Sequence, residues 1–237
     1  MKTKNLIFAI CLLLFTSCVV KSLHPFYTKE TIYFDENFIG KWQDKKEGSW
    51  RVIRFGNMLF ADNETNFDSL FTKGNLDFKI KIRRKELTKE DKKLYSKYKN
   101  SYYIQREYKD KKIVFVATPF KINNQTFLDF LPLEHQDDID NLLESHSIYT
   151  HSLVKYDIKK NGEVEIKWLD EDKIEELFKQ KNIKIKHEIV GVLDSKYLLT
   201  ASSLELQKFI KKYMASNDDE KWNTSTKFTL TKTNGTD

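Results

Sequence analysis

The segment HSLVKYDIKKNGEVEIKWL, residues 151–169, constrains the fold more than any other part of the chain. Apolar and polar residues alternate on both sides of Asn161-Gly162, and such alternation is typical of strands with one buried face. We predict a hairpin with a type I′ turn, in which both central residues take positive φ. The apolar residues should then share one sheet face: Val154, Tyr156, Ile158, Val164, Ile166 and Trp168.

Similar β-rich runs recur along most of the chain. The further strand candidates are FIGKWQD, SWRVIRF, MLFAD, LDFKIKI, SYYIQREY, KIVFVATPFKI, QTFLDFLPL and TKFTLTK. Gly56-Asn57 predicts a turn between SWRVIRF and MLFAD, and Asn123-Asn124 predicts a turn before QTFLDFLPL. About eight to ten strands in hairpin order indicate an antiparallel meander.

Helical signals interrupt these strands. Thr88 is an N-cap candidate for LTKEDKKLYSKY, a charged helical insertion near 87–99, and Asp170 is one for DEDKIEELFKQ. Ser202 and Glu205 have capping-box spacing at the start of SSLELQKFIKKYMAS. The last segment carries an amphipathic stripe made of Leu206, Phe209, Ile210 and Tyr213.

The elements together predict a mainly β fold with a few short helices. An antiparallel meander must close or stack to hide its edges, because unpaired edge groups recruit other chains. We therefore expect a lipocalin-like β-barrel or a closed sandwich capped by a helix. The helix Leu204 to Ala215 should lie against a sheet or across one barrel end, and a further short helix is expected over Asp137–Ser145.

Residues 1–17 have the features of a bacterial signal peptide. Lys2 and Lys4 precede an apolar run from Leu6 to Phe15, which is shorter than the roughly 20 residues that span a bilayer. The quartet Phe15-Thr16-Ser17-Cys18 resembles a lipoprotein lipobox, with Phe where Leu is usual. The resemblance implies that Cys18 carries acyl chains and becomes the mature N-terminus. A plain secretory signal with a free Cys18 is the alternative.

This interpretation divides the chain into a cleaved signal 1–17, a lipid-anchored tether 18–30 and a single β-rich domain 31–237. The HPFYT part of the tether is apolar enough that we expect it to pack onto the domain. The chain has two cysteines, Cys11 and Cys18. Cleavage and acylation would leave no thiol, and the domain would depend on an ordinary core rather than on disulfides.

Charge argues against a nucleic-acid partner. Removing Lys2 and Lys4 with the signal lowers the formal net charge from +6 to +4, and Asp and Glu are nearly as numerous as Lys and Arg. The only locally basic run is FKIKIRRK. Alternation there indicates a solvated strand face rather than a patch for nucleic acid or lipid headgroups: Lys79, Lys81 and Arg83 point one way.

Two family resemblances follow from short motifs. Gly40-x-Trp42 resembles the Gly-x-Trp motif of lipocalins, in which the Trp closes one barrel end, often beneath a basic residue from the last strand. Here Lys227 or Lys232 would supply that residue, and Trp42 as an ordinary core residue is the alternative. SLHPFYT, GKW, FLDFLP and LLTAS followed by LQKF resemble a family of bacterial lipoproteins. That resemblance implies that the chain is a lipoprotein, and it carries over no catalytic residues to this sequence.

The sequence offers no catalytic motif, cofactor motif or metal motif. His146 and His151 are five residues apart, a poor spacing for a metal pair, and the acids around His135 lack an EF-hand pattern. Neither a Gly-x-Ser-x-Gly elbow nor a Gly-rich phosphate loop occurs. Carboxylates at helix ends, such as Asp170-Glu171-Asp172 and Asp218-Asp219-Glu220, leave an envelope hydrolase as the alternative function.

We therefore expect a non-enzymatic envelope lipoprotein without cofactor or metal. It would be held in the membrane by acyl chains on Cys18 and would bind an apolar small molecule or an envelope protein. Val19 follows Cys18 where an Asp would indicate inner-membrane retention, and no acidic run follows. The expected location is the outer membrane, facing the periplasm rather than the cell surface.

Overall fold

The computed structural model describes residues 19–59, 88–133, 148–191 and 195–233. Within these ranges the strands are β1 (Lys21–Ser22), β2 (Gly40–Asp44), β3 (Ser49–Arg54), β4 (Tyr102–Tyr108), β5 (Lys111–Ile122), β6 (Gln125–Pro132), β7 (His151–Ile158), β8 (Val164–Trp168), β9 (His187–Val190), β10 (Lys196–Leu199) and β11 (Lys227–Lys232). The helices are α1 (Phe55–Leu59), α2 (Lys89–Tyr98), α3 (Glu171–Lys179) and α4 (Ser203–Ala215), with 3₁₀ turns at Lys29–Thr31 and Glu36–Phe38.

Eight of the strands close an antiparallel barrel. They follow the order β2-β3-β4-β5-β6-β7-β8-β11, and β11 pairs back to β2. The expected fold class is confirmed, because the chain is mainly β and its meander closes on itself. Closure pairs both edges of each barrel strand, as a soluble meander requires. The other strands extend the sheet beside β7, in the order β1-β10-β9.

The barrel has two ends that differ in how they are covered. We call upper the end at which β2, β4, β6 and β8 finish, and lower the end at which these strands begin. The 3₁₀ turn Glu36–Phe38 covers the lower end, and its Phe38 is fully buried among lumen side chains. The upper end carries the β2–β3 and β4–β5 turns and receives the N-terminal segment, since Val19 pairs with Asp170 just after β8.

The hairpin of β7 and β8 keeps the expected face but not the expected turn. Val154, Tyr156 and Ile158 pair with Trp168, Ile166 and Val164. Gly162 has φ of +83° and Asn161 does not have positive φ, so the type I′ prediction is wrong. Gly162 N–H donates to Lys159 O at 3.0 Å, which closes a three-residue loop. A two-residue turn at Asn161-Gly162 would have set Ile158 opposite Glu165, and the extra loop residue restores the apolar pairing.

The turn predicted at Gly56-Asn57 is also wrong, because both residues lie inside helix α1. Phe55 is buried against Tyr98 of α2, with 5.3 Å between ring centroids. A Cβ at Gly56 would stand 2.9 Å from Tyr95 Cε2. The glycine therefore allows α1 and α2 to approach closely, and this tertiary contact overrides the local turn preference.

Helix α4 lies against the outer wall of the barrel. Of the two positions expected for it, the structure shows the sheet face. Leu206, Phe209, Ile210 and Tyr213 are buried as predicted. They share a cluster with Phe120, Phe127 and Leu153 of the barrel strands, whereas the lumen is a separate cluster. Thr88, Asp170 and Ser202 cap α2, α3 and α4 as the sequence indicates.

Candidate functional site

The lumen of the barrel is packed with side chains. Trp50, Tyr102 and Phe130 are almost fully buried there. Rings from different elements meet at centroid distances of about 5 to 6 Å: Phe38–Tyr156, Trp50–Phe228, Phe115–Phe130, Phe130–Trp168 and Trp168–Phe228. Interiors filled in this way approach the density of organic crystals. The lumen is therefore a core, and the candidate binding site lies on the outside of the barrel.

The Gly40-x-Trp42 motif closes the lower end. Trp42 is buried, and its indole N–H donates to Phe38 O at 2.9 Å. Lys232 Nζ lies 5.3 Å from the centroid of the Trp42 ring. Gly40 has φ of +147°, and a Cβ there would stand 2.9 Å from Lys232 Cε. Glycine thus makes room for the lysine that covers the tryptophan.

A buried carboxylate organises the upper end. Asp44 accepts hydrogen bonds from Trp50 Nε1 at 2.8 Å and from Arg106 Nη2 at 3.1 Å. Gly48 N–H and Lys46 N–H donate to its other oxygen. Burial raises the pKa of Asp44, but these donors outweigh burial and hold the pKa below its usual value. No motif in the sequence predicts this cluster, because its members come from β2, β3, β4 and the β2–β3 turn.

One hydroxyl in the lumen is unsatisfied. Tyr156 Oη is buried and has no hydrogen-bond partner among the described residues. Burial, with smaller contributions from Tyr102 and Asp35, raises the pKa of Tyr156. The neighbouring Tyr102 donates instead to Asp35 O at 2.6 Å. A neutral phenol in this position contributes ring packing to the lower end rather than acid–base chemistry.

A histidine and an aspartate pair on the outer side of the barrel. His151 Nδ1 lies 2.6 Å from Asp129 Oδ1, and the second oxygen of Asp129 accepts the Phe26 N–H at 2.7 Å. Phe26 is fully buried, so the HPFYT segment packs onto the domain as expected. Burial raises the pKa of the adjacent Tyr27 to about 12. The pair therefore secures the tether, although neither residue was singled out as its partner in the sequence.

A groove opens between helix α4 and the segment 181–186 that follows α3. Its volume is about 970 Å³. Lys181 turns the chain with φ of +58°, and the residues beyond it then alternate. Ile183 and Ile185 are half-buried, whereas Lys184 and Lys186 are exposed. The apolar floor consists of Leu177, Ile183, Ile185, Phe209 and Tyr213.

Lysines line the edges of the groove. They are Lys181, Lys184, Lys186, Lys208 and Lys212. Lys186 Nζ lies 3.6 Å from Glu205, and the second acid of the groove, Asp218, pairs with Lys173 at 2.9 Å. No carboxylate in the described ranges pairs with the other four lysines of the groove. The groove therefore combines an apolar floor with an excess of positive charge.

Sequence reasoning missed this site because it treated the two halves separately. The stripe containing Phe209 and Tyr213 was assigned to the core, and both side chains are indeed mostly buried. The alternation in KNIKIKH was not singled out as a β-like run. Two sequence features indicate the groove when they are taken together. One is this alternation, and the other is the pair Lys208 and Lys212, which lie about one helical turn apart.

The remaining candidate site residues from the sequence either lie outside the described ranges or lie away from the groove. Cys18 and the acids around His135 lie outside the described residues, as do His146, LDFKIKI and the expected helix Asp137–Ser145. Two of the helix-end acids have structural roles: Asp170 caps α3, and Glu171 accepts the Tyr197 N–H at 3.1 Å. In the part of the chain that is described, no three His, Cys, Asp or Glu residues group as metal ligands.

Comparison with protein-family models, with curated proteins and with solved structures finds no match for this chain. Across the four described ranges, none of the helices has the length and apolar character needed to cross a membrane.

Proposed function

We propose that the protein is a lipid-anchored envelope protein that binds an anionic amphiphile in the groove beside α4. The observation that carries the proposal is the joining of an apolar floor to lysines that have no carboxylate partner among the described residues. A single acyl or similar apolar chain would lie on Ile183, Ile185 and Phe209. Its carboxylate or phosphate would meet Lys208 and Lys212.

Charge complementarity selects this occupant over a neutral apolar molecule. Lys208 and Lys212 are four residues apart on α4, and like charges at this spacing destabilise a helix slightly. An anion placed between them removes that repulsion and gains charge-assisted hydrogen bonds. Burial of the apolar chain adds about 25 cal/mol for each Å² removed from water.

The packed lumen supports an external site. A ligand inside the barrel would have to displace several buried rings, and each large buried side chain contributes several kcal/mol to stability. The groove demands no such displacement. Binding rather than catalysis is proposed because the described His–Asp pair holds the tether backbone and not a nucleophile.

The anchor remains part of the proposal on the grounds of the lipobox at Cys18. The tether is consistent with it, because Val19 and Val20 pair at the end of β8 and Phe26 is buried. The described fold thus begins at Val19, the residue that follows the proposed acylation position. We propose an outer-membrane location with the domain facing the periplasm, since Val19 replaces a retention signal.

Ligand binding is tested with cis-parinaric acid, a fluorescent fatty acid, and with its methyl ester. The wild-type protein should bind the acid and bind the ester more weakly. Lys208→Glu with Lys212→Glu should weaken binding of the acid on the order of tenfold and affect the ester little. The control is Lys211→Glu, which makes the charge change of one of these two substitutions on an exposed neighbour outside the groove.

Equal affinity of all variants for the acid would overturn the amphiphile proposal. Preference for the ester would overturn the role of the lysines. Location is tested by adding protease to intact cells, which should leave the protein uncut; rapid digestion would place it on the cell surface instead.

A further inference from the structure

We propose that the upper end of the barrel is a membrane-docking surface for anionic phospholipid, so that the barrel stands end-on to the bilayer. The inference rests on the proposed lipid anchor for its orientation, and it adds a second contact that the anchor alone does not require. Three independent features meet at this end: the N-terminal segment, a set of lysines without a carboxylate partner in the described part of the chain, and an exposed apolar residue.

The first feature is the position of the chain entry. Val19 pairs with Asp170 and packs against the lumen cluster, and Val20 N–H donates to Leu169 O at 3.3 Å. Asp170 lies two residues after the last residue of β8, which finishes at the upper end. An acyl group on Cys18 would therefore enter the bilayer next to this end and not next to the Gly40-x-Trp42 end.

The second feature is a basic rim formed by two hairpin turns of the upper end. Its members are exposed lysines: Lys45, Lys46, Lys109, Lys111 and Lys112. None of them pairs with a carboxylate in the described ranges. The turns also contain the exposed acids Glu47 and Asp110, so in and next to these two turns five lysines face two acids. Lysines near an anionic leaflet strengthen membrane binding.

The rim is a connected structure rather than a set of scattered side chains. Lys46 Nζ lies 5.2 Å from the Phe228 ring, and the Arg106 guanidinium lies 4.9 Å from the same ring. Arg106 also lies 5.1 Å from the Tyr108 ring, which Lys109 approaches at 5.3 Å. Asp44 at the end of β2 accepts a hydrogen bond from Arg106 of β4, so the two turns are linked to each other.

The third feature is apolar. Ile148 is 76% exposed and stands three residues before β7 begins, at the same end. A large exposed aliphatic side chain at the same end as two basic turns is the composition of a membrane-interface contact. The opposite end has its own lysines, including Lys159 and Lys160 in the β7–β8 turn, which therefore serve as the matched control.

The test uses full-length protein purified from membranes and placed in phosphatidylcholine vesicles with about a quarter phosphatidylglycerol. Bimane is attached at Lys46→Cys or, as control, at Lys160→Cys, and lipids with a nitroxide on the headgroup quench it. We expect strong quenching at position 46 and little at position 160. Replacing Lys45, Lys109 and Lys111 with Gln should reduce quenching at position 46 at least about fivefold, and omitting phosphatidylglycerol should do the same.

The possible outcomes distinguish failure of end-on docking from failure of the lipid anchor. Mass spectrometry of the same preparation reports the acyl chains. If Cys18 is acylated but the two positions are quenched equally, end-on docking is wrong and the anchor stands. If Cys18 is free, the anchor is wrong, and docking stands only if the protein still binds the anionic vesicles through position 46. Absence of vesicle binding by the free form overturns docking as well.

Discussion

The ammonium group of Lys232 lies over the ring of Trp42, 5.3 Å from its centroid, and so joins the last barrel strand to the first. The two strands are paired, with Lys232 opposite Trp42. Gly40 provides the space for the lysine stem. The seam that closes the barrel is thus reinforced by a cation–π contact at the lower end.

Lys232→Met should test this seam. Methionine keeps most of the stem packing and removes the charge, so we expect a loss of about 0.5–1 kcal/mol in the free energy of unfolding. Gly40→Ala should cost more, because alanine is strained at this φ and displaces Lys232. Urea melts followed by tryptophan fluorescence measure both, and Lys227→Met at the exposed start of the same strand is the control. Equal losses in the free energy of unfolding for all three variants would show that the Lys232–Trp42 contact does not stabilise the seam.

Asp44→Ala should destabilise the upper end strongly. It would leave Trp50 Nε1 and the Arg106 guanidinium without their acceptor, and loss of one partner of a buried pair costs about 3–5 kcal/mol. Glu47→Ala in the adjacent turn is exposed and should cost about 0.5 kcal/mol or less. Urea melts at neutral pH compare them. Similar losses for both variants would mean that the cluster is not anchored as the structure shows.

Asp44 should also contribute to acid sensitivity. The hydrogen bonds to Asp44 outweigh its burial and lower its pKa in the folded state. The ionised carboxylate therefore stabilises the fold fully at pH values above the pKa of an unfolded Asp, about 3.9. Stability is lost as pH falls through the lower folded pKa. Asp44→Asn should therefore be less stable than wild type at neutral pH, and the gap should narrow as pH falls below about 4. A constant gap across the titration would contradict this assignment.

Gly162→Ala should cost about 1 kcal/mol because φ of +83° is strained for alanine. No atom lies within 4 Å of the position that a Cβ would take, so the loss reports conformation alone. Gly162→Asn is the control, since asparagine tolerates positive φ better. Thermal melts should rank glycine above asparagine and asparagine above alanine.

Phe209→Ala should lower the free energy of unfolding by about 3–5 kcal/mol. The ring packs with Tyr213 in the apolar cluster between α4 and the outer wall of the barrel. Lys211→Ala should cost about 0.5 kcal/mol or less, as for an exposed site. Equal small losses in urea melts would mean that α4 does not pack on the barrel.

Cys18→Ser should abolish acylation. We expect palmitate to label the wild-type protein and not the variant, and globomycin to cause accumulation of the wild-type precursor. Unprocessed or soluble variant protein would agree with the anchor. A wild-type protein that neither takes up palmitate nor responds to globomycin would contradict it.

The sequence by itself determined where most strands and helices form, through the spacing of its apolar residues. Alternation specified β7 and β8 and their common face, and local hydrogen-bonding residues specified the caps at Thr88, Asp170 and Ser202. These features depend on neighbours within a few residues, which a sequence displays directly. Burial of Phe209 and Tyr213 followed from the same kind of local spacing.

Only the tertiary structure decided the features that depend on distant residues. Closure of β11 on β2 brought Lys232 to Trp42, and packing of Phe55 on Tyr98 turned a predicted turn into helix α1. The meeting of segment 181–186 with α4 created the lysine-edged groove, because neither half can form it alone. The hairpin shows both levels at once: the apolar pattern determined its face, and pairing across the strands determined the loop length that preserves that face.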